Sequence, residues 1–264
     1  MLSVDLNCDM GESFGAWRMG NDAELMDYVS SVNIACGFHA GDATTMRRTV
    51  ETAVNKGVAI GAHPGYPDLQ GFGRRDMSLS NEEASDIVLY QISALKGICE
   101  AAGVQLNHVK PHGALYNRAA KDAGLAKTIA SAVKMLDPDL VLYGLSGSFL
   151  ISEAQKFGLK TASEVFADRR YSPDGTLVPR TCANALIDDV NAACEQVLQM
   201  VRSQTVTSAD GNSVVIKADT ICIHGDGPHA LDFAHTIKNV LLENKIEVRS
   251  IGTKNNYEFA INNS

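Results

Sequence analysis

Short apolar runs alternate along this chain with longer stretches of helical period. The runs predict strands near 3–9, 32–38, 58–63, 106–112, 139–144, 160–166, 219–224 and 246–251. Helices are predicted near 22–31, 43–56, 81–103, 118–136, 147–158, 181–203 and 229–244, and Leu89, Ile92, Leu95, Ile98 and Cys99 carry the helical period most clearly. Asn81, followed by Glu82 and Glu83, reads as a capped, acidic first turn. Strand–helix alternation implies an α/β fold with a parallel sheet. Eight strands would close a (β/α) barrel and seven would leave it distorted or open; the pattern does not decide the count. One interruption, 205–216, reads as a β-hairpin around Asp210-Gly211, inserted before the seventh barrel strand. No linker or repeat divides the chain, so 1–264 is expected to be one domain.

Alternate residues of a strand face opposite sides. In the first strand Val4, Leu6 and Cys8 share one side, while Asp5, Asn7 and Asp9 share the other. The pattern recurs with Asn33 and His39 in the second run, His63 in the third, and His108, Lys110 and His112 in the fourth. Glu164 and Asp168 share a parity in the sixth, His224 and Asp226 in the seventh. Burying such groups without partners costs roughly 2–7 kcal/mol for a neutral amide and more for a charge. They concentrate late in each strand, at the end of a parallel barrel where the loops carry chemistry. Asp5, Asn7, Asp9, His39, His63 and Lys110 are therefore expected to line one cavity. Each has a plainer reading taken alone: a lone His is usually a bonded core residue, and Asp5 could simply pair with Lys110.

Length and composition fit this picture. The chain has 264 residues, 45% of them hydrophobic and 20% charged, normal for a single barrel of ~250 residues. A net charge of -8 argues against nucleic acid as a partner. There is no apolar run of membrane-spanning length, and the N-terminus lacks the pattern of a signal peptide. Six cysteines without a C-x-x-C pair read as reduced and mostly buried, as in a cytoplasmic protein.

The loops after the strands add candidates. Glu12 follows the first strand, and Asp42 opens a helix, where N-capping is the preferred role. A long loop after His63 carries Arg74 and Arg75, which could fork a carboxylate or pair with Asp68 or Asp76. Asp168-Arg169-Arg170 and His224-Gly225-Asp226 end later strands. The chain has no G-x-x-x-x-G-K-[ST] loop, no G-x-G-x-x-G after a strand, no G-x-S-x-G and no H-E-x-x-H. His39 and His63 could join Asp9 around a metal, but no short ligand spacing supports one, and none is expected.

Five segments carry a resemblance: Asp5-Leu6-Asn7-Cys8-Asp9-Met10-Gly11-Glu12, Asn33 to Asp42, Gly61 to Asp68, Val109 to Tyr116, and Glu164 to Arg169. In this order they resemble the LamB/YcsF family over almost the whole chain. The resemblance implies a distorted (β/α) barrel like that of the glycoside hydrolase/deacetylase superfamily. It also implies ATP-dependent opening of 5-oxo-L-proline to L-glutamate, in a complex with two further 5-oxoprolinase subunits, B and C. ATP is then the cosubstrate of the complex, with its binding subunit left open.

That chemistry suits the polar residues. A lactam is a stabilised amide; phosphorylating its carbonyl oxygen makes the carbon electrophilic, water attacks, and the ring nitrogen must gain a proton. A base, an acid and cations are needed. Asp9 or Glu12 are candidates to activate water, His39, His63 or His112 to pass protons, Lys110 to hold a phosphate or oxyanion, and Arg74 or Arg169 to clamp the substrate carboxylate. Asn7, Asp168, His224 and Asp226 are further substrate-binding candidates. Two rival readings remain: a metal-dependent deacetylase-like amide or sugar hydrolase, and a non-catalytic substrate-binding subunit.

Overall fold

The computed structural model describes residues 2–223 and 230–252; His224 and Asp226 lie outside them. Strands β1 (Ser3–Met10), β2 (Ser31–Ala35), β3 (Ala59–His63), β4 (His108–Val109), β5 (Val141–Leu145), β6 (Lys160–Phe166) and β9 (Thr220–Ile223) are all parallel. β9 pairs with both β6 and β1, so seven strands close a barrel. An eighth, β10 (Glu247–Val248), enters only at the bottom. Its segment bonds through Glu247 and Arg249 N–H to the Leu2 and Val4 carbonyls, on the same edge of β1 whose Leu6 carbonyl accepts from Ser30, just before β2. β10 thus wedges in beneath β2, which accounts for both the seven-strand closure and the distortion.

The outward side chains of β1, namely Val4, Leu6, Cys8 and Met10, are buried with Val32, Ile34, Ile60, Val109, Leu142, Val165 and Ile221 in one apolar layer under the helices. That layer is covered by α2 (Ala43–Lys56), α3 (Asn81–Ala101), α5 (Ala123–Leu136), α6 (Phe149–Lys156), α7 (Val190–Ser203) and α8 (Ala230–Glu243). Asp42 caps α2 as expected, accepting from the Thr44 and Thr45 N–H groups. The α3 cap is Ser80 rather than Asn81: a capping box with Glu83 begins that helix. The hairpin is present as β7 (Thr205–Thr207) and β8 (Ser213–Val215).

Three helices differ from expectation. The first, α1, is only Asp22–Leu25. The stretch predicted as one helix over 118–136 is two, α4 (Gly113–Lys121) and α5, because the Asp122 carboxylate takes the Gly124 and Leu125 N–H groups and restarts the chain there. The helix predicted from 181 begins at Val190, capped by Asp189. The residues before it form a long excursion after β6, tied by bridges between Arg169 and Leu186 and between Tyr171 and Leu177.

Candidate functional site

The barrel interior is layered. At the bottom, Val141, Tyr143 and Ala162 form a small apolar plug against Ile251. Above it Asp5 accepts hydrogen bonds from Ser30, Ser31, Tyr143 and Thr220. Burial raises the Asp5 carboxyl above its ordinary range against these hydroxyl donors. Fully buried among those partners, Asp5 lies outside the cavity wall that it was expected to line and anchors the barrel floor.

The middle layer is a continuous network. Asn7 donates to Glu164 (3.0 Å) and Thr220 (2.8 Å), and Asn33 donates to Asn7 and Asp9. The His108 ring bonds Asn33 through Nε2 and stacks on Tyr143 at 4.1 Å. Gly61 makes this possible, since a Cβ there would sit 2.1 Å from His108 Nε2. Asn7 is fully buried and outside the cavity wall, bonded to the groups above it.

Lys110 joins this layer to the top. Its Nζ lies 2.9 Å from both Asp9 and Glu164, 3.2 Å from Asn7 Oδ1 and 3.1 Å from Cys222 Sγ. The expected carboxylate partner is therefore Asp9, with Glu164 in the place considered for Asp5. Burial disfavours the ammonium, but Asp9, Cys222 and Glu164 hold its pKa well above the usual value. Burial likewise opposes ionisation of Asp9, and His63 and Lys110 overcome it, keeping that carboxyl well below the usual range.

At the top, β1, β2 and β3 with their following loops gather Asp9, Glu12, His39 and His63, and His112 follows β4 at the N-cap of α4. His63 Nε2 lies 3.2 Å from Asp9 Oδ2, and its Nδ1 is 2.6 Å from the Lys110 carbonyl. His112 Nε2 is 2.8 Å from the Phe72 carbonyl, and its Nδ1 faces His63 Nε2 at 2.9 Å. His39 stacks flat on His112 at 3.7 Å, with its Nε2 3.5 Å from Glu12 Oε1. Burial lowers the pKa of His112 to about 3 and that of His39 well below 6.5, so both rings are neutral at ordinary pH. Gly65 and Gly73 permit this packing: a Cβ at either would come 2.7 Å from a His39 atom.

These groups open onto a cavity of about 520 Å³. Asp9, Glu12, His63, Lys110, His112, Arg74 and Arg169 line it, whereas Asn7 and His39, expected in the same wall, are buried behind it. Asp168 is half-buried just past β6 and is not part of the wall among the described residues. Arg75 turns away to pair with Asp68, leaving Arg74 over the Phe72 ring at the cavity. Arg169 is pinned by the Val178 and Ala185 carbonyls. The far wall was missed in the sequence: Leu177, Val178 and Arg180 come from a stretch given no role there, and Thr181 from the start of the expected helix. Pro173, Asp174, Gly175 and Pro179 were the available signal, since two prolines and an Asp-Gly turn mark a long structured loop after β6. Lys110, Arg74, Lys121, Arg169 and Arg180 outnumber Asp9 and Glu12 among the wall's charged groups, in a chain whose net charge is -8. The site is suited to an anionic ligand.

Comparison with known proteins accords with this geometry. The LamB/YcsF family model matches residues 4–256. The 5-oxoprolinase A subunit of Tolumonas auensis is 57% identical over 251 residues, covering 95% of this chain and 100% of the relative. That of Bacillus subtilis is 55% identical, covering 95% and 98%. The crystal structure of a lactam utilization protein from Thermus thermophilus superposes with a TM-score of 0.90 at 46% identity, covering 95% of this chain and all of that one. With a family match over nearly its full length and relatives above half identity, the chain belongs to the LamB/YcsF family.

Proposed function

We propose that this chain is the A subunit of an ATP-dependent 5-oxoprolinase and carries the hydrolytic site, acting with subunits B and C. The observation that carries the reading is the Asp9 carboxylate 2.9 Å from the buried Lys110 ammonium, both on the wall of a cavity lined by more cationic than anionic side chains. The names of the relatives supply the substrate class, a lactam.

The lactam is small and carries one carboxylate; phosphorylated on its carbonyl oxygen it carries further negative charge. Arg74, Arg169 and Arg180 suit those anionic groups. Asp9 takes a proton from the attacking water, and the new C–O bond forms at the lactam carbon. Lys110 stabilises negative charge developing on the oxygens at that carbon. The C–N bond then breaks, the ring nitrogen gains a proton, and γ-glutamyl phosphate remains. A second water hydrolyses the acyl phosphate to glutamate and inorganic phosphate. ATP supplies the phosphoryl group within the complex.

Asp9→Asn in the reconstituted complex tests the assignment, with glutamate release as the readout. Loss of a general base predicts a fall of roughly 10²–10⁴-fold with KM little changed. Turnover within a few-fold of wild type would remove Asp9 from the chemistry.

A further inference from the structure

Two buried imidazoles bring ring nitrogens face to face. The Lys110 carbonyl can only accept, so the Nδ1 of His63 carries the hydrogen in that 2.6 Å contact. The Phe72 carbonyl likewise requires the hydrogen of His112 on Nε2. In their neutral forms both facing nitrogens, His63 Nε2 and His112 Nδ1, are then acceptors, 2.9 Å apart. His63 Nε2 also faces the carboxylate of Asp9 at 3.2 Å. Glu12 Oε1 completes the group, 3.8 Å from His112 Nδ1 and 3.5 Å from His39 Nε2. His39 is wholly buried, and neither of its ring nitrogens has a hydrogen-bond partner. Acceptors converging on one point require something positive between them.

A proton on His63 Nε2 would serve its contacts with both Asp9 and His112, but it would leave His39 unexplained. A cation held by the four side chains gives each of them a partner, one nitrogen of His39 included. One ligand atom from each of Glu12, His39, His63 and His112 falls within 4.8 Å of the others. A tetrahedral ion with ligands at about 2.0–2.1 Å spaces them roughly 3.3 Å apart, so modest side-chain movement closes the set. We infer that Glu12, His39, His63 and His112 form a binding site for one divalent transition-metal ion. Three imidazoles and a carboxylate favour zinc or its neighbours over magnesium or calcium, which prefer all-oxygen shells. The carbonyl bonds of His63 and His112 are the outer contacts that orient metal-binding imidazoles. The ion would lie beside Asp9 at the inner wall of the cavity, where a bound water would be acidified next to the proposed base.

The inference goes beyond the lactamase reading, and its test reads metal rather than glutamate, so either can fail without the other. The purified chain is stripped with chelator, dialysed against Zn²⁺ or Co²⁺, and assayed by elemental analysis, visible absorption and thermal unfolding. The expected result is one ion per chain, a cobalt d–d band of low-symmetry nitrogen–oxygen ligation, and a Tm rise of roughly 5 °C at a hundredfold excess over Kd. His39→Ala and, separately, Glu12→Gln should lose the band and most of the Tm rise. Circular dichroism of each metal-free variant establishes that it is folded, and a folded result from either one suffices. Wild-type chain that takes up no ion and shows no Tm shift overturns the site. So does a folded His39→Ala chain that binds metal as wild type does, since the ion then sits elsewhere.

Discussion

Lys110 joins the buried hydrogen-bond network to the proposed hydrolytic site. It sits between Asp9 and Glu164 at 2.9 Å from each and is almost wholly buried. Removing one partner of a buried ion pair typically costs about 3–5 kcal/mol, because the remaining charge is stranded. Lys110→Met alone should therefore lower both stability and turnover. Adding Glu164→Gln removes one of the two stranded carboxylates. The double variant should regain a good part of the lost Tm while glutamate release stays down roughly 10²–10³-fold, the scale of losing one charge-stabilising donor. Recovery of turnover along with stability would make the lysine purely structural. His108 gives a prediction in pH. Burial lowers its pKa from 6.5 to about 3, so the unfolded chain takes up a proton in that interval that the folded chain refuses. Its contribution to stability is complete above pH 6.5 and is lost as pH falls toward 3, with a slope of up to about 1.4 kcal/mol per pH unit per proton. His108→Gln should flatten the fall of the urea midpoint between pH 7 and 4; an unchanged slope would mean that the ring is already charged in the fold.

At the scale of elements, the strands were legible and their surroundings less so. Period-two alternation in β1 put Asp5, Asn7 and Asp9 on the inner face, and the fold places all three there. Parity fixes a face but not a height. Asp5 falls at the floor and Asp9 at the mouth because each pair of residues climbs one layer, and the hydroxyls waiting for Asp5 on β2, β5 and β9 lie on other parts of the chain. Glu164 showed its inward parity in the sequence, yet its pairing with Lys110 depends on barrel closure that spacing along the chain does not reveal. The missed excursion between β6 and α7 has a different cause: Ala183, Ala185, Leu186 and Ile187 are apolar enough to imitate a helix, although Ala185 and Ile187 are buried in a loop. Gly61 on β3 offers a test at this scale. An alanine methyl there would overlap the His108 ring. Overpacking of a core typically costs about 1–3 kcal/mol, so Gly61→Ala should lower the chemical-denaturation midpoint accordingly and loosen the Asn33–His108 contact. A variant as stable as wild type would show that the middle layer adjusts freely.

The whole molecule is an acidic barrel with a cationic mouth. Seven strands close it, β10 pairs at its lower edge, and the interior passes from an apolar plug and the bonded Asp5 through a hydrogen-bonded network to the groups that line the cavity. That layering leaves Asp9, Glu12, His63, Lys110 and His112 on the cavity wall and Asp5, His108 and Glu164 bonded behind it. Among the described residues, no helix is long and apolar enough to cross a membrane. The sequence carries no glycine-rich phosphate loop of the kinds that bind ATP in common folds, and the names of the relatives describe one subunit of a larger enzyme. The central claim is that this chain contributes the lactam-hydrolysing site to a complex whose partners are needed for activation by ATP. The most direct measurement is glutamate formed from 5-oxo-L-proline and ATP by this chain alone, by subunits B and C alone, and by the three combined. Glutamate is expected only from the combination. Robust ATP-dependent glutamate formation by the isolated chain, or by the partners without it, would contradict that claim.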